Sequence, residues 1–194
     1  RKDLKKARFL GLDMSTAIKD WLYDVTALEG KDGFFAANNS SSTELQAVGL
    51  LSQLKRYDEI LAERKRNVLY LNERLAGCSA VKVQPVGADG SEPTYHLYLL
   101  QIDPEKAGAD IRVLRKKLAE KSVTTIPHFA PLYKFAIMKQ LGYDQKAEEL
   151  ACPVAEDVFY HKFTHLPVYG LSKDQLDYMA DAVLTSIDEM QKGI

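Results

Sequence analysis

From Thr43 to Gly77 the chain holds one unbroken helical pattern, with Leu45, Val48, Leu51, Leu54, Leu61, Val68, Leu71 and Leu75 at roughly helical spacing. Thr43-Glu44-Leu45-Gln46 opens it with a capping box, a hydroxyl for the orphan N–H groups and a glutamine that reaches back. A straight helix of that length measures about 50 Å. A globule of 194 residues has a radius of gyration of only about 16 Å. The helix must therefore bend, break near Gly49, or run from one domain into another, and the last is the expectation adopted. It divides the chain into residues 1–42, a connecting helix over 43–77, and a C-terminal domain over 78–194.

Upstream, residues 3–10 read as one or two helical turns stopped by Gly11, and Trp21 to Val25 as a short aromatic and β-branched strand. Glu29 to Ser42 is polar and rich in Gly, Asn and Ser, and reads as a solvated loop or linker. Downstream, Ala80 to Val83, Tyr95 to Ile102, Val123 to Ile126 and Thr164 to Tyr169 read as strands. Asp110 caps a helix carrying Ile111, Leu114 and Leu118, and Ser172 with Gln175 opens a final amphipathic helix from Leu176 to Met190. Strands interleaved with helices give an α/β class, with an α+β small domain whose sheet is covered on one face. Residues 1–42 hold few core residues. Uncovered apolar surface is therefore expected around Trp21, Phe34 and Phe35, with association as its consequence.

The 26 basic and 27 acidic side chains nearly cancel, which argues against a strongly basic nucleic-acid binder or a polybasic membrane anchor. No apolar run reaches the roughly 20 residues that span a bilayer. The basic start, Arg1 to Lys6, leads into too short and too charged a stretch for a signal-peptide core. Cys78 and Cys152 lack metal-ligand spacing and suggest no disulfide framework, which favours a reducing, cytoplasmic setting. His161 and His165 sit four apart but run straight into Leu166-Pro167, so the expectation is a surface or helix-end role and no metal. His128 differs: in Ile126-Pro127-His128-Phe129-Ala130-Pro131-Leu132, two prolines fix the backbone where a strand ends, a common place for sites in open sheets. On local grounds a structural histidine and a site histidine both remain open.

Thr43-Glu44-Leu45-Gln46-Ala47-Val48-Gly49-Leu50-Leu51-Ser52-Gln53-Leu54, Tyr95-His96-Leu97-Tyr98, His128-Phe129-Ala130-Pro131-Leu132, Pro153-Val154-Ala155-Glu156 and Leu166-Pro167-Val168-Tyr169 follow one another in the chain. In that order they resemble the C-terminal half of the fold-type-I, pyridoxal-phosphate-dependent nucleotide-sugar aminotransferases of the DegT type. Lys6-Ala7-Arg8-Phe9-Leu10-Gly11 resembles the helix that follows the family's coenzyme lysine. Each stretch alone is weak; their colinear succession carries the likeness.

The resemblance implies a homodimeric transferase of deoxysugar or polysaccharide biosynthesis, taking a nucleotide-sugar substrate and an amino-acid donor. It places the Schiff-base lysine upstream of Arg1, so the chain is expected to contain no catalytic residue and not to transaminate without the large domain or a complementary fragment. Pyridoxal phosphate is the cofactor of the complete enzyme. The family's loop before the long helix gives a polar side chain to the coenzyme phosphate of the partner subunit; Asn39 matches one version of that position and Ser41 the other. Ser40, Ser41 and Ser42 replace the family's Tyr, Arg/Asn and Met there. His128 matches the histidine near the substrate's phosphates, with Tyr133 in the same loop. The alternative is a lysine-less relative that binds nucleotide sugars or a partner protein as a regulatory module. Chain start at Arg1 rather than Met fits a processed product or a fragment.

Overall fold

The computed structural model describes residues 12–14, 23–35, 43–87 and 92–194. In chain order the first elements are β1 (Leu12–Met14), β2 (Tyr23–Val25), β3 (Leu28–Gly30), β4 (Gly33–Phe35), α1 (Glu44–Leu54) and α2 (Tyr57–Leu75). Then come β5 (Val81–Lys82), β6 (Tyr98–Ile102), α3 (Pro104–Ala107), α4 (Ile111–Glu120), α5 (Ala136–Gln140), α6 (Gln145–Ala151), α7 (Pro153–Asp157), β7 (Phe163–Leu166) and α8 (Lys173–Lys192). Contacts divide the chain into two units. The first is Arg1–Gly49 with Phe129–Asp157, and the second is Leu50–His128 with Val158–Ile194.

In the first unit β1 pairs with β2, and β3 with β4, all antiparallel. The β3–β4 hairpin turns at Lys31-Asp32 and closes on Gly33, whose φ of +114° suits glycine alone. The expectation of a solvated loop from Glu29 is therefore corrected over its first half: pairing Leu28 with Phe35 buries Leu28, a gain that Gly and charge content conceal. Residues 36–42, residues 3–10 and Trp21 lie outside the described residues; Phe34 is 53% exposed. The Asp24 carboxylate, only 7% exposed, accepts the Ala136 N–H at 2.7 Å and so satisfies the first donor of α5 from a strand distant in sequence. Ala27 N–H donates to the side-chain oxygen of Gln140 at the other end of that helix.

The capping box of α1 is present: Thr43 N–H donates to Gln46 Oε1 at 2.7 Å and Gln46 N–H to Thr43 Oγ1 at 3.3 Å. The long helix does not continue unbroken, however. At Arg56 the N–H reaches back three residues to Gln53 O, at 3.0 Å, and a new helix starts with Asp58 and Glu59 in its first turn, where acidic groups complement the helix dipole. Gly49 sits within α1, upstream of this break. No residue of α1 is buried; Leu45, Val48, Leu50, Leu51 and Leu54 all face solvent. In α2, by contrast, Val68, Leu71 and Leu75 are fully buried.

The second unit is built on the sheet β5-β6-β7, antiparallel throughout. Contacts with α2, α4 and α8 bury Tyr98, Leu100 and Ile102 against Leu114, Leu118, Val183 and Ile187. The helix starts are those the sequence signals: Asp110 accepts Arg112 N–H at 2.9 Å, and Ser172 and Gln175 form a reciprocal capping box. Inside, Tyr98 donates to Asn72 Oδ1 at 2.7 Å, Asn72 donates to Gln84 O at 2.8 Å, and Gln84 Oε1 accepts Leu99 N–H at 2.9 Å. Burial pushes the Tyr98 phenol up to about 12, so it stays a donor. Helix α4 ends in a left-handed turn at Ser122 (φ 58°), with Ser122 N–H on Ala119 O and Val123 N–H on Leu118 O. The strand expected over Val123 to Ile126 reduces to one bridge, Ile126 with His165, because Pro127 has no N–H with which to extend the ladder.

Truncation should separate the two helices energetically. Leu71→Ala should cost about 2–5 kcal/mol of the chain's unfolding free energy, whereas Leu51→Ala should change it by no more than about 0.5 kcal/mol. Urea denaturation of the 194-residue chain reads both.

Candidate functional site

The alternation of β6 determines where the chemistry sits. Tyr98, Leu100 and Ile102 are buried in the core, so Leu99 and Gln101 stand on the opposite face. Leu99 pairs with His165 and Gln101 with Phe163, which places both β7 residues on that opposite face, while Thr164 and Leu166 share the core face. His165 is nevertheless only 8% exposed. The Phe163 ring meets it edge-on, 4.7 Å between centroids at 88°. The segment leaving α4 covers it from the other side: His165 N–H donates to Ile126 O at 3.0 Å, and Pro127 then delivers His128 against the ring. The two imidazoles approach Nδ1 to Nδ1 at 3.3 Å, with centroids 5.4 Å apart.

Neither ring favours a proton. Burial, helped by the neighbouring His128 and His96, pushes His165 down to about 4, so it is neutral at ordinary pH. His128 is lowered too, by burial first and then by His96. His96 is exposed at the entrance to β6, immediately after Tyr95, whose buried ring is reached with a backbone φ of 45°, a conformation bulky residues rarely adopt. His96 thus adds to the lowering of the other two from a separate segment, and one buried neutral imidazole backs a half-buried one.

Tyr133 belongs to the first unit, in a 3-10 turn over Leu132–Lys134. Its hydroxyl donates to Glu156 Oε1 at 2.5 Å, and Lys134 pairs with Glu156 Oε2 at 2.9 Å and Glu149 Oε2 at 2.9 Å. Gln145 Nε2 holds the turn's backbone by donating to Tyr133 O at 2.6 Å and Phe135 O at 2.9 Å. Burial, then the hydrogen bond to Glu156, raises the Tyr133 phenol well above its usual range. It is a fixed, protonated donor already spent on Glu156.

Asn39 and Ser41 lie outside the described residues. His161 falls in a π-helical turn (Val158–Lys162) and His165 in β7, so the two do not share a helix face. Among the described residues no group of His, Cys, Asp and Glu is placed to hold a metal ion, and no helix is long and apolar enough to cross a membrane. Cys78 and Cys152 are free thiols. Sequence reasoning attaches no role to Glu156 or to the meeting of His165 with His128. The alternation Phe163-Thr164-His165-Leu166 contains the signal for the latter, because it puts His165 beside Phe163 and away from the core side.

The family described as DegT/DnrJ/EryC1/StrS aminotransferase matches residues 4–184. The spore coat polysaccharide biosynthesis protein SpsC of Bacillus subtilis is 30% identical over 173 residues, covering 84% of this chain and 39% of that protein. A Streptoalloteichus tenebrarius protein with the provisional name L-glutamine:3-amino-2,3-dideoxy-scyllo-inosose aminotransferase is 36% identical over 186 residues, covering 86% of this chain and 44% of that protein. The chain therefore spans about two fifths of the length of these relatives. The Streptococcus pneumoniae protein Spr1654, solved in PMP, apo and PLP forms, shares the fold at a TM-score of 0.66; its PLP form is 24% identical, with 97% of this chain and 43% of that one covered.

The ordinary value of an unfolded histidine, 6.5, lies above the folded value of His165. The unfolded state therefore takes up a proton first, and the stability present above pH 6.5 should drain away as pH falls towards 4. The loss is at most about 3 kcal/mol. Thermal melts of wild type and His165→Leu across that interval should show the smaller loss in the variant.

Proposed function

This chain belongs to the DegT/DnrJ/EryC1/StrS aminotransferase family, and on that footing we propose that it forms the C-terminal part of a pyridoxal-phosphate-dependent aminotransferase acting on a nucleotide-linked keto-sugar. The observation that carries the reading is the match over residues 4–184, which takes in the expected phosphate-side loop, the connecting helix and the segment around His128 in one colinear run. In this reading the enzyme is a cytoplasmic homodimer using an amino-acid donor.

Pyridoxal phosphate, when bound, supplies the electron sink for amino transfer. Anchoring it calls for an amine that can shed its charge. The half-buried lysines with defined partners do not fit that requirement: Lys65 pairs with Glu92, Lys117 and Lys121 with Glu189, and Lys134 with Glu149 and Glu156. Each of those amines is already engaged by a carboxylate. The anchoring lysine is assigned to polypeptide outside this chain, and Asn39 and Ser41 to the coenzyme phosphate of the partner subunit.

His128 is assigned to substrate binding, donating a hydrogen bond to a phosphate of the nucleotide sugar. Tyr133 has a narrower part, because its hydroxyl proton goes to Glu156 and only a lone pair is left for a ligand. In the full-length enzyme His128→Ala should raise KM for the nucleotide sugar about 10-fold with kcat little changed, the signature of lost binding that is equal in ground and transition states. The 194-residue chain, treated with pyridoxal phosphate and borohydride, should show no stoichiometric adduct on any one lysine. Such an adduct, found by peptide mass mapping, overturns the assignment. Nucleotide-sugar binding by a full-length protein that takes up no coenzyme would instead support the binding-module reading.

A further inference from the structure

We propose that the cavity between the end of α4 and the first turns of α8 binds a small organic amine, an ammonium on an apolar body, with Asp174 taking the charge and Tyr178 and Met179 the apolar part. The proposal does not depend on the roles given above to His128 and Tyr133.

The cavity holds about 470 Å³, within the roughly 300–1,000 Å³ of small-molecule sites. Its walls belong to one unit and are tied to one another. Helix α4 closes through Ser122 N–H on Ala119 O at 2.9 Å and Val123 N–H on Leu118 O at 2.8 Å, which fixes the direction in which Val123 and Thr124 leave it. Opposite, the capping box of Ser172 and Gln175 sets the start of α8. Asp174 and Tyr178 follow four residues apart, on one helix face. The Tyr178 hydroxyl donates to Lys121 O at 2.9 Å and so ties the ring to the end of α4. A wall held in this way spares a ligand the cost of ordering it.

The lining decides the class of ligand. Val123, Pro167, Leu171 and Met179 make much of it apolar, and Val123 and Met179 are otherwise buried. Asp174 is the one charged side chain that lines the cavity among the described residues, and it is exposed. It has no hydrogen bond or ion pair with any described residue. The nearby lysines are committed elsewhere, Lys173 to Asp177 and Lys121 to Glu189. A carboxylate without a cation, beside an aromatic ring and apolar side chains, complements an ammonium by charge and cation–π attraction and repels an anion. The Thr124 hydroxyl, with no partner among the described residues, adds an acceptor for an ammonium N–H. In the first turn of α8 Asp174 also complements the helix dipole, a role that needs no cavity.

Full-length protein carrying carbon-13 at its methionine methyl groups reads the site directly, with the Met179 signal assigned from Met179→Leu. Phenethylamine, phenethyl alcohol and hydrocinnamate share an apolar body and differ in charge. The amine should shift the Met179 methyl saturably, with a Kd on the order of 1 mM. It should bind about 3- to 5-fold more tightly than the alcohol at low salt, with the acid weakest. In Asp174→Asn the amine and the alcohol should come within about 2-fold of each other. Thr124→Phe, which fills the rim, should abolish both responses. The proposal is overturned by the absence of a saturable shift up to about 10 mM amine, or by an alcohol or acid that binds as tightly as the amine. A preference for the amine that survives Asp174→Asn, or a Met179 shift that persists in Thr124→Phe, overturns it equally. The wild-type ranking of the three ligands decides even if Asp174→Asn folds poorly, because it needs no variant.

Discussion

A small sheet has two faces, and here the helices cover one. The side bearing Tyr98, Leu100 and Ile102 is closed by α2, α4 and α8 into a dry core. Strand pairing then leaves no freedom about what stands on the other side. A shift of one residue between β6 and β7 would send His165 into the core and Thr164 out of it. The site thus inherits its geometry from apolar burial on the far side of the strands. The imidazole pair owes its side of the sheet to core residues that do not touch it, while Phe163 and Ile126 hold His165 directly.

What lies against that second face is loop rather than helix. Helix α4 ends in a left-handed turn, and the residues after it travel to β7 with a single backbone bridge before Pro127 stops further pairing. That economy keeps the covering thin: His165 is buried, yet His128 is only half so. A polar group so placed keeps access to solvent and ligands while its inner nitrogen is held by a fixed neighbour. The neutrality of His165 follows from the same arrangement, because burial disfavours a charged imidazole and the neighbouring His128 and His96 add to that penalty.

The sequence was most legible where the signal is local. Capping boxes at Thr43 and Ser172 and the Asp110 cap are complete within a few residues, and all three are present. Spacing likewise identified Val68, Leu71, Leu75, Leu114 and Leu118 as buried. Periodicity did not say what each stripe packs against: Leu45, Val48, Leu51 and Leu54 keep the same rhythm and face solvent. Nor did it show the break at Lys55–Arg56, where both sides favour helix. The β3–β4 hairpin was hidden by Gly30, Gly33 and their charged neighbours, whose turn chemistry also reads as linker. The imidazole contact was least legible, since it needs strand register and a loop path at once.

The way the two units are threaded has a bearing on biosynthesis. Each unit consists of two separate stretches of chain, and the stretches alternate along the sequence. When the ribosome has released β2, the helix whose first amide Asp24 will satisfy has not yet been made; Ala136 follows only after most of the second unit's first stretch has emerged. Likewise β6 waits for β7, across the intervening stretch of the first unit. Neither unit can be cut out as one continuous piece: the first needs Phe129–Asp157 and the second Val158–Ile194 before it is complete. Nascent intermediates with unpaired strand edges are therefore built into this topology, and with them a need for protection during synthesis.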